Sequence, residues 1–149
     1  MPTPGRPLLR AVLEAAWAPI AVLLLHALLA RLFGHEPIVD PIMHLLGGAA
    51  AAFFVRHLGE RDTRLLGAPS SLALDLLAFG LTSFVGLAWE VSELLSDRYL
   101  GSHAQTSVAN TLRDLLFDVL GAAVYLCSAR LARAAAAAAS RGRPGDQAM

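Results

Sequence analysis

Residues 72–97 read LALDLLAFGLTSFVGLAWEVSELLSD, and this stretch decides the fold. Wound as a helix, it brings Asp75, Thr82, Gly86, Glu90, Glu93 and Asp97 onto one narrow arc. Leu77, Phe84, Ala88, Val91 and Leu95 take the opposite face. A helix in water needs a broad charged outer surface. Here the polar groups form a thin seam and everything else is apolar. That pattern suits a helix with lipid outside and polar groups turned toward a bundle interior.

Working outward, three more apolar segments lie near 11–33, 41–58 and 108–129, alongside the span at about 72–95. Each approaches the roughly 20 residues that cross a bilayer. Charges interrupt every one of them, so a soluble four-helix bundle is the competing architecture. The faces decide against it. In the last segment Asn110, Asp114, Asp118, Gly121 and Tyr125 share a stripe opposite Leu112, Leu116, Leu120, Ala123 and Cys127. The expected fold is an all-α, polytopic membrane protein, a bundle of four transmembrane helices. Residues 1–133 are read as a single membrane domain. Residues 134–149 are read as an alanine-rich helix extension and a disordered cytoplasmic tail.

Composition agrees. Of 149 residues, 56% are hydrophobic and only 16% charged, which excludes disorder for the bulk of the chain. Twelve acids balance twelve bases, all of them arginine, so no global charge draws the chain to nucleic acid. The single cysteine, Cys127, excludes an internal disulfide and a cysteine-based zinc cluster. Arg6 and Arg10 precede an apolar stretch, as in a signal peptide. That stretch is longer than the usual h-region, and no convincing cleavage site follows it.

With four spans, nine arginines (Arg6, Arg10, Arg56, Arg61, Arg64, Arg130, Arg133, Arg141 and Arg143) fall on one side and only Arg31 and Arg98 on the other. Arg113 lies within a span. Positive charge concentrates on the cytoplasmic side, so both termini are expected there. The connections 34–40 and 96–107 then face outward.

This topology gathers the polar groups in the outer half of the membrane. Asp40 and His44 are spaced i,i+4, Glu90 and Glu93 i,i+3, and Asn110, Asp114 and Asp118 follow at the start of the last span. An ionised acid at a helix centre costs about 2.5–3.5 kcal/mol to insert, so these five acids must be protonated, paired, hydrated or metal-bound. Three readings stay open. In the first, His44, Glu90, Glu93 and Asp114 ligate a divalent metal (Mg, Mn, Fe or Zn), with Asp40 and Asp118 as outer partners or alternative ligands and Asn110 orienting substrate or a ligand. In the second, Asp75 extends the acids into a proton or ion path. In the third, the seam is interhelical glue: Arg113 pairs an acid, Ser107 and Asn110 cap the last helix, and Gly47, Gly48, Gly86 and Gly121 allow close approach. His26 is expected to be packed or interfacial, and His35, His57 and His103 solvated. Neither a serine hydrolase triad nor a phosphate loop, CxxC or HExxH pattern is present.

Asp40-x-x-x-His44-x-x-x-Gly48, Trp89-Glu90-x-x-Glu93 and Gln105 followed by Asn110-Thr111-x-x-Asp114-x-x-x-Asp118-x-x-Gly121 resemble, in order and spacing, the motifs of VanZ-like proteins and the related YjdF-like proteins. The resemblance covers roughly residues 38–125. Asn110 stands where an acid is often found, and Asp118 where Asn is common. The resemblance implies a small, multi-pass protein of the bacterial cytoplasmic (inner) membrane. It assigns neither catalysis nor a cofactor. The metal reading adds an envelope lipid or lipid-linked substrate as the expected partner beside the bilayer. A topology reporter fused at Gly101 is expected to read as external, and a cytoplasmic signal there would overturn the arginine-based orientation.

Overall fold

A computed structural model of the chain describes residues 6–33, 38–61 and 67–141. It contains four helices: α1 (Arg6–Phe33), α2 (Val39–Arg61), α3 (Ser71–Leu100) and α4 (Val108–Arg141). No strand occurs among the described residues. All four helices are long and apolar enough to cross a membrane. The expected all-helical, four-span bundle is therefore what the chain forms.

The helices outrun their apolar stretches, because Ala, Leu and Arg keep a helix going after hydrophobicity ends. α4 continues through Ala134–Ala139 to Arg141. The tail expected beyond it, from 142 onward, lies outside the described residues, as do His35, Arg64 and Arg143. α3 begins where the Ser70 hydroxyl accepts from the Ala73 amide at 3.2 Å, and it stops at Gly101 in the left-handed conformation (φ 67°). Ser107 caps α4 by accepting from the Asn110 amide at 3.1 Å.

Burial is inverted relative to a protein in water. Leu13, Leu24, Phe84 and Leu116 are each about two-thirds exposed, whereas Asp114 is 0% and Glu90 2% exposed. In water that arrangement would strand charge in the interior and leave hydrocarbon wet. In lipid the same leucines meet their own kind.

α2 is the hub, packed against α1, α3 and α4. α3 and α4 also pack on each other, while α1 approaches α2 alone at the backbone. Ala11, Ala15 and Ala18 form the buried edge of α1. The apolar core is small: Ala52, Ala78, Ala122 and Leu126, flanked by Val55, Phe79 and Tyr125. Small side chains dominate because close backbone approach, rather than hydrophobic burial, holds helices together in lipid. The closest approach joins α2 to α4. A Cβ on Gly48 would run into the Asp118 carbonyl, and one on Gly121 into the Leu45 carbonyl and the Ala49 amide.

Arg56 departs from its expected place. It lies inside α2, 2% exposed, rather than in the inward connection. It pairs with Asp75 of α3 and, at 2.9 Å, with Glu60. Arg130 of α4 also grips Asp75, and Arg133 stands 4.0 Å from it. A guanidinium keeps its proton, so Asp75 sits in an arginine clamp rather than at the end of an acidic column. His57, expected in solvent, is instead partly buried on α2, stacked on Phe53 with ring centroids 5.5 Å apart and 3.7 Å from Glu14.

Gly121→Leu or Gly48→Leu is expected to force α2 and α4 apart and cost about 1–3 kcal/mol or more, read as unfolding at lower denaturing detergent. A Cβ on Gly80 meets nothing within 4 Å, so Gly80→Leu is expected to behave as wild type.

Candidate functional site

His44 sits one turn after Asp40 on α2, 6% exposed, where α2, α3 and α4 converge. Its Nδ1 is 3.3 Å from Asp118 Oδ2 of α4. Its Nε2 faces Asp40 Oδ1 and Glu90 Oε1 of α3, each at 3.8 Å. Those two separations exceed a hydrogen bond. Glu90 Oε1 is buried and has no hydrogen-bond partner among the described residues. Asp40, His44 and Asp114 each offer a ligand atom within 4.8 Å of the others, a grouping that could hold a metal ion.

Asp114 is fully buried and held on both oxygens. Asn110 Nδ2 donates to Oδ2 at 2.5 Å, and Arg113 Nε donates to Oδ1 at 3.1 Å. Arg113 also reaches Asp40 Oδ2 at 3.3 Å and Asn110 Oδ1 at 2.7 Å. Asn110 thus orients Asp114, and Arg113 links α4 to α2. Asp118 is wedged between helices: its carboxylate would meet a Cβ on Gly86 at 2.5 Å, and it lies 3.9 Å from the Cβ position of Gly47.

The site therefore gathers Asp40, His44, Glu90, Asn110, Asp114 and Asp118. Glu93 stays apart. Its Oε1 accepts from Trp89 Nε1 at 2.8 Å. An i,i+3 pair is offset by about 60° around a helix, so when Glu90 faces α2 its neighbour is turned aside. Conversely Asp40, read from sequence as an outer partner, faces Nε2 directly. Arg113 and Gln105 are the members that residue-type reasoning undervalued. The signal for Arg113 was its place inside a span, where an unpaired charge is costly.

Gln105 arrives by a loop device. Asp97, near the C-terminal end of α3, accepts from the Ser102 hydroxyl, from the Ala104 amide at 2.6 Å and from the Gln105 amide at 2.8 Å. This folds the connection 101–107 back onto the bundle. Gln105 Nε2 then donates to the Glu90 carbonyl at 3.0 Å and to Glu90 Oε2 at 3.3 Å. His103 takes a positive φ of 58° within this turn.

A four-span helical bundle with a buried acidic and imidazole cluster defines the class: a small integral membrane protein. Residues 10–135 match the family described as "Predicted membrane protein (DUF2238)", and the chain belongs to that family. It is also similar to a Thermotoga maritima protein described as "Uncharacterized protein", 31% identical over 84 residues. That match covers 55% of this chain and 42% of the relative, so the chain spans less than half of the relative's length. No solved structure matches the chain.

Asp97→Asn is expected to loosen the 101–107 loop. Hydrogen bonds to a charged acceptor contribute about 1.5–3 kcal/mol each, so amide exchange at Ala104 and Gln105 should accelerate by about 10- to 100-fold. Unchanged exchange would show that the loop is held by something else.

Proposed function

We propose that this chain is an inner-membrane protein, both termini cytoplasmic, whose outward-facing site holds a divalent cation and uses it to bind or process an envelope lipid or lipid-linked glycan. The observation that carries this reading is the double engagement of His44, with Asp118 on Nδ1 and Asp40 and Glu90 on Nε2. A carboxylate on one imidazole nitrogen is the usual device that leaves the other nitrogen free for a metal. The 3.8 Å gaps at Nε2 are too long for hydrogen bonds. The Asp40 gap suits two ligands of one ion, since bonds of about 2.0–2.2 Å set neighbouring donors roughly 3–4 Å apart, and Asp114 brings a third donor within 4.8 Å of both.

Charge counting supports the same conclusion. Asp40, Glu90, Asp114 and Asp118 face one guanidinium and one imidazole, and a divalent cation offsets the surplus of negative charge. One imidazole among carboxylates suits Mg, Mn, Fe or Zn. Asp40, His44 and Asp114 would supply the donor atoms, Asp118 would hold the His44 tautomer, and Asn110 would orient Asp114. The ion would polarise a bound oxygen or lower the pKa of bound water. The likeness of these motifs to VanZ-like and YjdF-like proteins supports a bacterial inner-membrane location. The arginine distribution supports the orientation.

A second reading is favoured by Arg113, which ties Asp40 to Asp114 and would make the seam a structural bond between α2 and α4. Metal analysis of detergent-purified, metal-replete protein separates the two. About one ion per chain is expected, falling at least tenfold in His44→Ala and Asp114→Asn with helicity retained. Wild-type protein without metal, together with an Arg113→Gln variant far less stable than Glu90→Gln, would establish the structural tie instead.

A further inference from the structure

A cavity of about 240 Å³ lies between α1, α2 and α3, running from the His44 cluster toward Ala51 and Thr82. It exceeds the roughly 150 Å³ engineered cavity that accepts a benzene ring. Its walls are mainly apolar, formed by Val22 and Leu23 of α1, Met43 of α2 and Val85 of α3. Leu23 and Val85 are each 53% exposed, so the cavity borders the lipid-facing surface. Because α1 approaches α2 alone at the backbone, the gap between α1 and α3 is spanned by side chains only. His26 and Trp89 meet across it, with ring centroids 6.2 Å apart.

One wall is polar. His44, Asp118 and Thr82 all line the cavity. Thr82 is 1% exposed, and its hydroxyl has no hydrogen-bond partner among the described residues. Hydrocarbon alone would leave that buried donor unsatisfied, which is unfavourable. The occupant that satisfies both walls has a hydrocarbon chain beside an acceptor oxygen. Among membrane components, an ester-linked acyl chain has that chemistry.

We propose that this groove is a lateral lipid-binding site that draws in an ester-linked acyl chain, its hydrocarbon against Val22, Leu23 and Val85 and its carbonyl accepting from the Thr82 hydroxyl. Polarity along the bundle agrees, with the carboxylate cluster outward and the apolar cavity inward, as in a lipid of the outer leaflet. The inference rests on the proposed lipid-binding function, for which it supplies the substrate class.

The test reconstitutes the full chain in phosphatidylethanolamine–phosphatidylglycerol vesicles containing a phosphatidylglycerol with a photoactivatable group on one acyl chain. After illumination, adducts are mapped by mass spectrometry and bound metal is measured on the same protein. Adducts are expected at least fivefold more often at Val22, Leu23 and Val85 than at the lipid-facing Leu116 and Leu131. Ala51→Phe and Leu23→Trp, which fill the groove from opposite walls, should each remove that enrichment. An ether-linked probe should label the groove several-fold less than the ester, and Thr82→Val should abolish the difference. Equal labelling of groove and outer leucines overturns the proposal, as does an ester-to-ether ratio unchanged by Thr82→Val. Metal-loaded protein without enrichment refutes the groove alone, whereas enrichment in metal-free protein upholds the groove and refutes the cation.

Discussion

The bundle depends on the contact between α2 and α4 at Gly48 and Gly121. In lipid, helices gain nothing by hiding leucine from water, so association must come from close packing and polar pairing. At Gly48 the α2 surface meets the Asp118 carbonyl, and at Gly121 the α4 surface meets the Leu45 carbonyl. That mutual fit sets the register of the two helices. The register brings Asp118 to His44 Nδ1, and through Arg113 it joins Asp114 to Asp40. α3 completes the group because Gly86 leaves room for the Asp118 carboxylate, and Glu90 follows one turn later.

Two polar clusters result, and their charge balance separates their roles. One joins Asp75 and Glu60 to Arg56, Arg130 and Arg133, so its acids are outnumbered by permanent cations. It reads as a tie between α2, α3 and α4. The His44 cluster has the opposite imbalance, with four carboxylates around one imidazole and one guanidinium. Among the described residues, buried atoms without a hydrogen-bond partner occur in both clusters, Arg56 Nε and Asp75 Oδ1 in one and Glu90 Oε1 in the other, so they do not separate the two. The surplus of carboxylate charge, with a cavity beside it, makes the His44 cluster the place where function is to be sought.

Much of this was legible in the chain itself. The seam on α3 and the stripe on α4 identified the membrane architecture, because helical periodicity is local and survives without tertiary information. The same periodicity nominated Asp40, His44, Glu90, Asn110, Asp114 and Asp118, all of which converge. Arg56 was misjudged because a charge near the end of an apolar stretch looks like a boundary, and only a partner on another helix makes it internal. Glu93 turns its carboxylate to Trp89 instead, because an i,i+3 pair shares a face only loosely, and which member turns inward depends on the neighbour's position.

The sequence by itself determined that the helices cross a membrane and which residues line their polar faces, since both follow from the order of apolar and polar side chains along one helix. The tertiary structure decided what each polar face meets: Asp75 an arginine clamp, His44 three carboxylates, Thr82 an apolar groove. Those outcomes depend on helix rotation and depth, set by contacts between glycines and carbonyls far apart in the chain. No local pattern encodes such contacts.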